Sequence, residues 1–276
     1  MSNQPQPIPI EERDYYTAEE AKQILGMAHA TFFRAVRDGD IPKYKSQRGK
    51  YPKDFIDAMA SAQRMVAEHL KYLGVPHFNF SKSTPAQQEE EMRIGIACFG
   101  SEFITQLDLR IAFQMKNPYS FWSLKRFDPA TSHYRVVAYI SMFRFPEQFL
   151  DDILTGRHIE IDITLNEVLR FEKGVPFSIY IDVLATDPEL PEGLRSWYGW
   201  LVVKNFVNEI LNLLANGFQI ETLYTVTATK EGDNLVRKLG FQLMKGKSQS
   251  AGRIAYQFPL DEEGTRHLQQ LSRREV

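Results

Sequence analysis

The chain has one cysteine, Cys98, in 276 residues. It cannot close an internal disulfide, which fits a reducing compartment. No run approaches the roughly 18 consecutive apolar residues that a spanning helix needs, so no membrane partner is expected. The first ten residues, MSNQPQPIPI, hold three prolines and no basic segment ahead of an apolar run. They read as a flexible tail over 1–14 rather than as a signal peptide. His77, His133 and His158 stand alone without metal-ligand spacing, and Cys98 has no histidine close in sequence, so neither a metal nor a Cys/His nucleophile pair is expected. Internal repeats are lacking. The length fits about two domains.

Charge is present but unevenly spread. The whole chain is at −2, whereas seven Lys/Arg against two Asp between Arg34 and Lys53 give that segment +5. Just before it, Thr17 and Glu20 have capping-box spacing, and Ala18, Ala21, Ile24 and Leu25 share a helical face. Gly26 stops that helix. A second helical pattern runs from about His29 to Asp38, with Ala30, Phe33 and Val36 at helical spacing and Gly39 closing it; Phe32 and Phe33 are both assigned to the core. This is a helix-turn-helix layout, in which the second helix enters the major groove. The extended stretch KYKSQRGKY follows, with cations suited to phosphate contacts.

LGMAHATFFRAVRDGDIPKYKSQRGKYPKDFIDAM resembles the winged helix-turn-helix of excisionase and MerR-like DNA-binding domains. Ala28 and His29 replace the Ser and Arg common there. The resemblance implies a small all-α winged domain over 15–74, a double-stranded DNA partner, and a bacterial, cytoplasmic protein. Base-facing or groove-lining candidates are His29, Thr31, Arg34 and Arg37; phosphate candidates are Lys43, Lys45, Arg48 and Lys50. Phe55, Met59, Ala62, Val66, Leu70 and Leu73 have near-heptad steps, so the helix over 54–73 serves either as a dimer seam or as a helix packed on its own domain. Residues 75–91 are polar and read as a linker.

From 92 to 260, strand and helix patterns alternate. Helices are expected over Ser101–Met115, Pro146–Gly156, Leu194–Asn216 and Lys230–Leu239. Strands are expected over Tyr119–Phe127, Tyr134–Phe145, Phe177–Ala185 and Thr222–Ala228, with IEIDI at 159–163 alternating and a closing hairpin through Tyr256–Leu260. The segment 261–276 reads as a polar tail, either a terminal helix or frayed. The order, with IYIDVLATDPE and TATKEGDNLVRKLGF, resembles the GCN5-related N-acetyltransferase (GNAT) fold, so a mixed α/β domain is expected after the DNA-binding one.

That resemblance implies acetyl-CoA or another acyl-CoA. Val183, Leu184 and Ala185 match the strand that offers backbone to pantetheine, and Gly193, Arg195 and Ser196 are the substitutes for a glycine-rich phosphate loop that DPELPEGLRSWYGW lacks. Val236 falls where the family carries a tyrosine acid, and valine donates no proton. Asp182, Asp187 and Glu189 are the remaining bases, and Tyr198 and Tyr224 the remaining acids; turn-making and packing are the alternative roles. The expectation is a sequence-specific DNA-binding transcriptional regulator whose GNAT-like domain has lost catalysis and serves a ligand-sensing or structural role. The alternative is an active N-acetyltransferase with an appended DNA-binding domain.

Overall fold

The computed structural model describes residues 13–27, 29–44, 49–61, 78–128, 133–248 and 252–273. It divides into two units, Met1–His77 with Leu190–Trp197, and Phe78–Glu189 with Tyr198–Val276.

In the first unit, β1 (Tyr15–Thr17) pairs antiparallel with β2 (Lys50–Pro52), so the unit is not all-α as expected. Helix α1 (Ala18–Leu25) starts on the full capping box: Glu20 N donates to Thr17 Oγ1 at 3.4 Å, and Thr17 N to Glu20 Oε2 at 2.8 Å. It ends at Gly26, whose φ of 62° is left-handed and suits a residue without Cβ. Helix α2 (His29–Asp38) follows, and residues 53–61 form α3. Phe32, Ile41 and Ile56 are fully buried with Ala21, Leu25 and Tyr51. Phe32 meets Tyr51 edge-on at 5.0 Å.

The buried faces differ from expectation by part of a turn. Phe33, Ile24 and Phe55 are 38–39% exposed, and Ala35 is buried instead of Ala30. The reason is the short β1–β2 pair: its Tyr16 and Tyr51 supply core that a purely helical unit would take from the helices. Residues 62–73 of the expected seam lie outside the described residues.

The second unit is one seven-stranded sheet in the order β3-β4-β5-β6-β7-β9-β8. These strands are β3 (Phe78–Lys82), β4 (Phe121–Asp128), β5 (His133–Phe143), β6 (Pro176–Thr186), β7 (Gln219–Thr227), β8 (Gln242–Ser248) and β9 (Ile254–Pro259). Every neighbouring pair is antiparallel except β6–β7. A parallel pair needs a long crossover, and α7 (Glu192–Ala215) supplies it. The other helices are α4 (Pro85–Phe99), α5 (Leu107–Lys116), α6 (Glu147–Thr155), α8 (Lys230–Lys238) and α9 (Glu262–Arg273).

Three expectations are corrected here. The 75–91 linker holds, from Phe78, all of β3 and the start of α4. Its polar residues misled because Gln88 and Glu91 point inward: Arg110 on α5 donates to Gln88 Oε1 and Glu91 Oε2, both at 2.9 Å. Buried charges survive when paired and hydrogen-bonded. The single helix expected over Ser101–Met115 is a 3-10 turn, Ser101–Phe103, followed by α5. IEIDI is no strand but a 3-10 turn, Glu160–Asp162, because the Asp162 carboxylate captures Ile159 N at 2.9 Å, a local bond that competes with a ladder. Of the two readings of the polar tail, a terminal helix or a frayed end, the helix is present: α9 buries Leu268 and Leu271.

Candidate functional site

Strands β6 and β7 run paired from Pro176↔Gln219 to Ile181↔Thr225 and then part. Beyond that point β6 still pairs with β5 as far as Thr186↔Ala138, and β7 with β9 as far as Thr227↔Ile254. The facing edges of Asp182–Thr186 and Val226–Thr227 therefore share no ladder. Thr225 caps the fork, its Oγ1 donating to Ile181 O at 2.9 Å.

A cleft of about 580 Å³ occupies this opening, within the usual range for small-molecule sites. Its apolar lining includes Phe99, Phe103, Ile104, Phe206, Leu235 and Val236. Its polar lining includes Asp182, Glu160, Glu231, Arg253 and threonines 225, 227 and 229.

A bulge sets Asp182 apart. Ser141 pairs with Val183 and Met142 with Ile181, so Asp182 is the extra residue of β6, and a bulge re-aims its side chain. Ser141 Oγ repairs the ladder by accepting from Val183 N at 3.2 Å and donates to Asp182 Oδ2 at 2.8 Å. Asp182 Oδ1 is buried with no hydrogen-bond partner. Burial first, and the nearby Glu160 carboxylate second, push the Asp182 carboxyl up to about 7, against the Ser141 hydroxyl, Arg110 and Arg253. It therefore exchanges a proton near neutrality, as a general base must.

The other candidates sort around this cleft. Val183 and Leu184 line it, whereas Ala185 is buried against Ile94, Val136 and Tyr139. Gly193, Arg195 and Ser196, the expected phosphate loop, belong to the first unit. Asp187 is a structural carboxylate: Arg93 donates to it at 2.8 Å and Glu189 N at 3.1 Å. Glu189 is exposed and 3.5 Å from Arg93. Tyr198 is buried against Phe78 and Tyr224 borders another hollow, so neither reaches the cleft. Val236 lines it where the family's tyrosine was expected. Sequence reading missed Glu160, Arg253 and Ser141, which come from three separate elements. An acid inside the apolar strand FSIYIDVLA was the one visible signal.

In the first unit, His29 and Arg37 are exposed, Thr31 and Arg34 half-buried. Lys22 Nζ lies 3.0 Å from His29 Nδ1. Within this unit Arg34 and Arg37 meet Glu192 at 3.4 and 2.9 Å, and Arg34 Nη1 donates to Ser196 Oγ. Lys43 is exposed, and Lys50 Nζ sits 3.8 Å above the Tyr15 ring. Lys45 and Arg48 lie outside the described residues. Among the described residues, no group of three His, Cys, Asp or Glu is placed to hold a metal, and no helix is long and apolar enough to cross a membrane.

No protein-family model matches the chain, and no curated protein does. Solved structures similar to it include the loading GNATL domain of CurA from Lyngbya majuscula, at 11% identity and TM-score 0.47, covering 67% of this chain and 98% of that one. The AtaTR complex bound with acetyl-CoA is similar at 18% identity and TM-score 0.43, covering 71% and 98%. A GNAT-family acetyltransferase from Staphylococcus aureus Mu50 is similar at 13% identity and TM-score 0.42, covering 67% and 99%.

Proposed function

We propose that the second unit is an acyltransferase that takes the pantetheine arm of an acyl-CoA between β6 and β7, with Asp182 as the base for an amine acceptor. The observation that carries this reading is the Asp182 carboxyl, lining the cleft with a buried, unpartnered oxygen. It favours an active enzyme over the catalytically lost domain expected from the sequence. The unladdered edge from Asp182 to Thr186 supports the fit of pantetheine, whose amides need backbone partners.

In the transfer, the acceptor ammonium gives one proton to the Asp182 carboxylate. The amine nitrogen then attacks the thioester carbonyl, the C–N bond forms and the C–S bond breaks. The second amine proton is shed to solvent as the tetrahedral centre collapses, and the thiolate leaves with the C–S electron pair. A thiol has an ordinary pKa of about 8.5, so the thiolate departs without an obligatory acid. That makes valine at 236 tolerable.

The first unit is proposed to bind double-stranded DNA as a winged helix-turn-helix. The turn at Gly26, the paired β1–β2 and the exposed His29, Arg37 and Lys43 support it. Two copies paired through 54–73 would read two half-sites about one helical turn apart.

The test is calorimetric titration of the full chain with acetyl-CoA, followed by transfer assays on a panel of primary amines. Micromolar binding is expected. Asp182→Asn is expected to keep binding and slow transfer by about 10²–10⁴-fold. No heat at millimolar acetyl-CoA would remove the acyltransferase reading, and undiminished transfer by D182N would remove Asp182 as base.

A further inference from the structure

The segment between α6 and β6 contributes one residue to the cleft that this reaction does not use. Glu160 lines the cleft together with Asp182 and Arg253. It is held from two other elements. Arg253, just ahead of β9, places Nη2 2.5 Å from Glu160 Oε1 and 2.7 Å from Oε2. Tyr180 on β6 donates its hydroxyl to Oε1 at 2.6 Å. Both side chains of the ion pair are largely buried, at 16% and 14% exposed. A buried ion pair is a weak source of net stability, because desolvation offsets the attraction. What this one does is fix a second carboxylate in the cleft that Asp182 also lines.

We propose that Glu160 is a positioning residue for Asp182, clamped by Arg253 and Tyr180 so that the two carboxyl groups and the guanidinium form one charge-coupled group in the cleft wall. This rests on the reading of Asp182 as the base. With Asp182 protonated the group is neutral; with Asp182 ionised it carries one negative charge in a wall of Ile140 and Ile181. An entering ammonium ion compensates that charge, so the base is ionised when the acceptor is present. Like charges in a low-dielectric site titrate as a unit rather than singly. Arg110 opposes Glu160 at Asp182, as Arg253 does, and Ser141 hydrogen-bonds the carboxylate. Tyr139 and Tyr180 are the other titratable groups coupled to it. Both phenols are pushed further up by burial and stay neutral through the working range.

The test needs no acyl donor. The Asp182 side-chain carboxyl is followed by carbon-13 NMR in the full chain, from about pH 4 to 9, in the unaltered protein and in Glu160→Gln and Arg253→Gln. E160Q is expected to lower the midpoint by about one pH unit or more, and R253Q to raise it by a smaller amount, since Arg253 acts on Asp182 less strongly than Glu160 does. A purely structural role would loosen the same wall in both variants and move both midpoints the same way. Shifts of one sign, or an unmoved midpoint in E160Q, overturn the proposal. Opposite shifts in a protein that ignores acetyl-CoA would uphold the coupled group and sink the acyltransferase reading alone.

Discussion

The two units carry their candidate chemistry in opposite ways. In the first, His29, Arg37 and Lys43 are exposed on α2 and the segment after it, Arg37 beside Glu192 and His29 beside Lys22. The worth of an exposed cation on DNA lies in the counterion it releases, which is salt-dependent and modest per residue. In the second, the candidate group is a carboxyl with a buried oxygen at a strand bulge, and its proton affinity is set by its surroundings. A surface site is the sum of its residues, whereas a cleft site is a property of the packing. Substitutions in the cleft should therefore have the larger and more pH-dependent effects.

Asp182→Asn gives the strongest contrast. The folded carboxyl titrates at about 7, against roughly 3.9 in the unfolded chain. Between those values the folded protein binds the extra proton, so stability falls as pH rises through that window and levels off above it. Asparagine does not titrate. D182N should match the unaltered protein near pH 4 and exceed it above pH 8, by at most on the order of 4 kcal/mol. Urea unfolding at the two pH values measures the difference. A difference that is the same at both would mean that Asp182 is solvated like the surface charges, and the contrast between the units would be lost.

Local features were legible in the sequence and non-local ones were not. The capping box at Thr17–Glu20 and the stop at Gly26 need only a few adjacent residues, and both are present. The strands at 121–128, 133–143, 176–186 and 219–227 follow from β-branched and aromatic runs. Glu91 reads as a surface residue in QQEEE, because nothing near it reveals that Arg110 waits inside. The fork between β6 and β7 is invisible for the same reason: it depends on where pairing with β5 and β9 continues while pairing between them ends. Asp182 was named as one of three candidate carboxylates, with Asp187 and Glu189. Its partners were not, since Ser141, Glu160 and Arg253 are each ordinary in their own sequence context.

For the first unit, the expected effects are smaller and separable. Arg34→Ala should cost about 1–3 kcal/mol on a preferred DNA sequence and relax the preference, as loss of a base contact does. Lys43→Ala should weaken all sequences alike and lower the slope of log K against log salt by about 1. Fluorescence anisotropy with several duplexes across a salt series measures both. If the two variants behave identically on every duplex, the division into reading and anchoring residues fails.

The smallest effect makes the comparison sharpest, because the same deletion can be made in each unit. Thr17 caps α1, and Thr229 caps α8 by accepting from Gly232 N at 3.0 Å. Replacing either with Ala removes one cap bond and should cost about 1 kcal/mol of local stability. Thr17 shares its box with Glu20, whose carboxylate also takes Arg13 at 2.8 Å, so its loss should fall at the low end. Thr229 also lines the cleft. Hydrogen exchange of the two helices should register both changes, while only Thr229→Ala should alter the affinity for acetyl-CoA. Equal changes in affinity would mean that the cleft responds to general loosening rather than to the groups on its own wall.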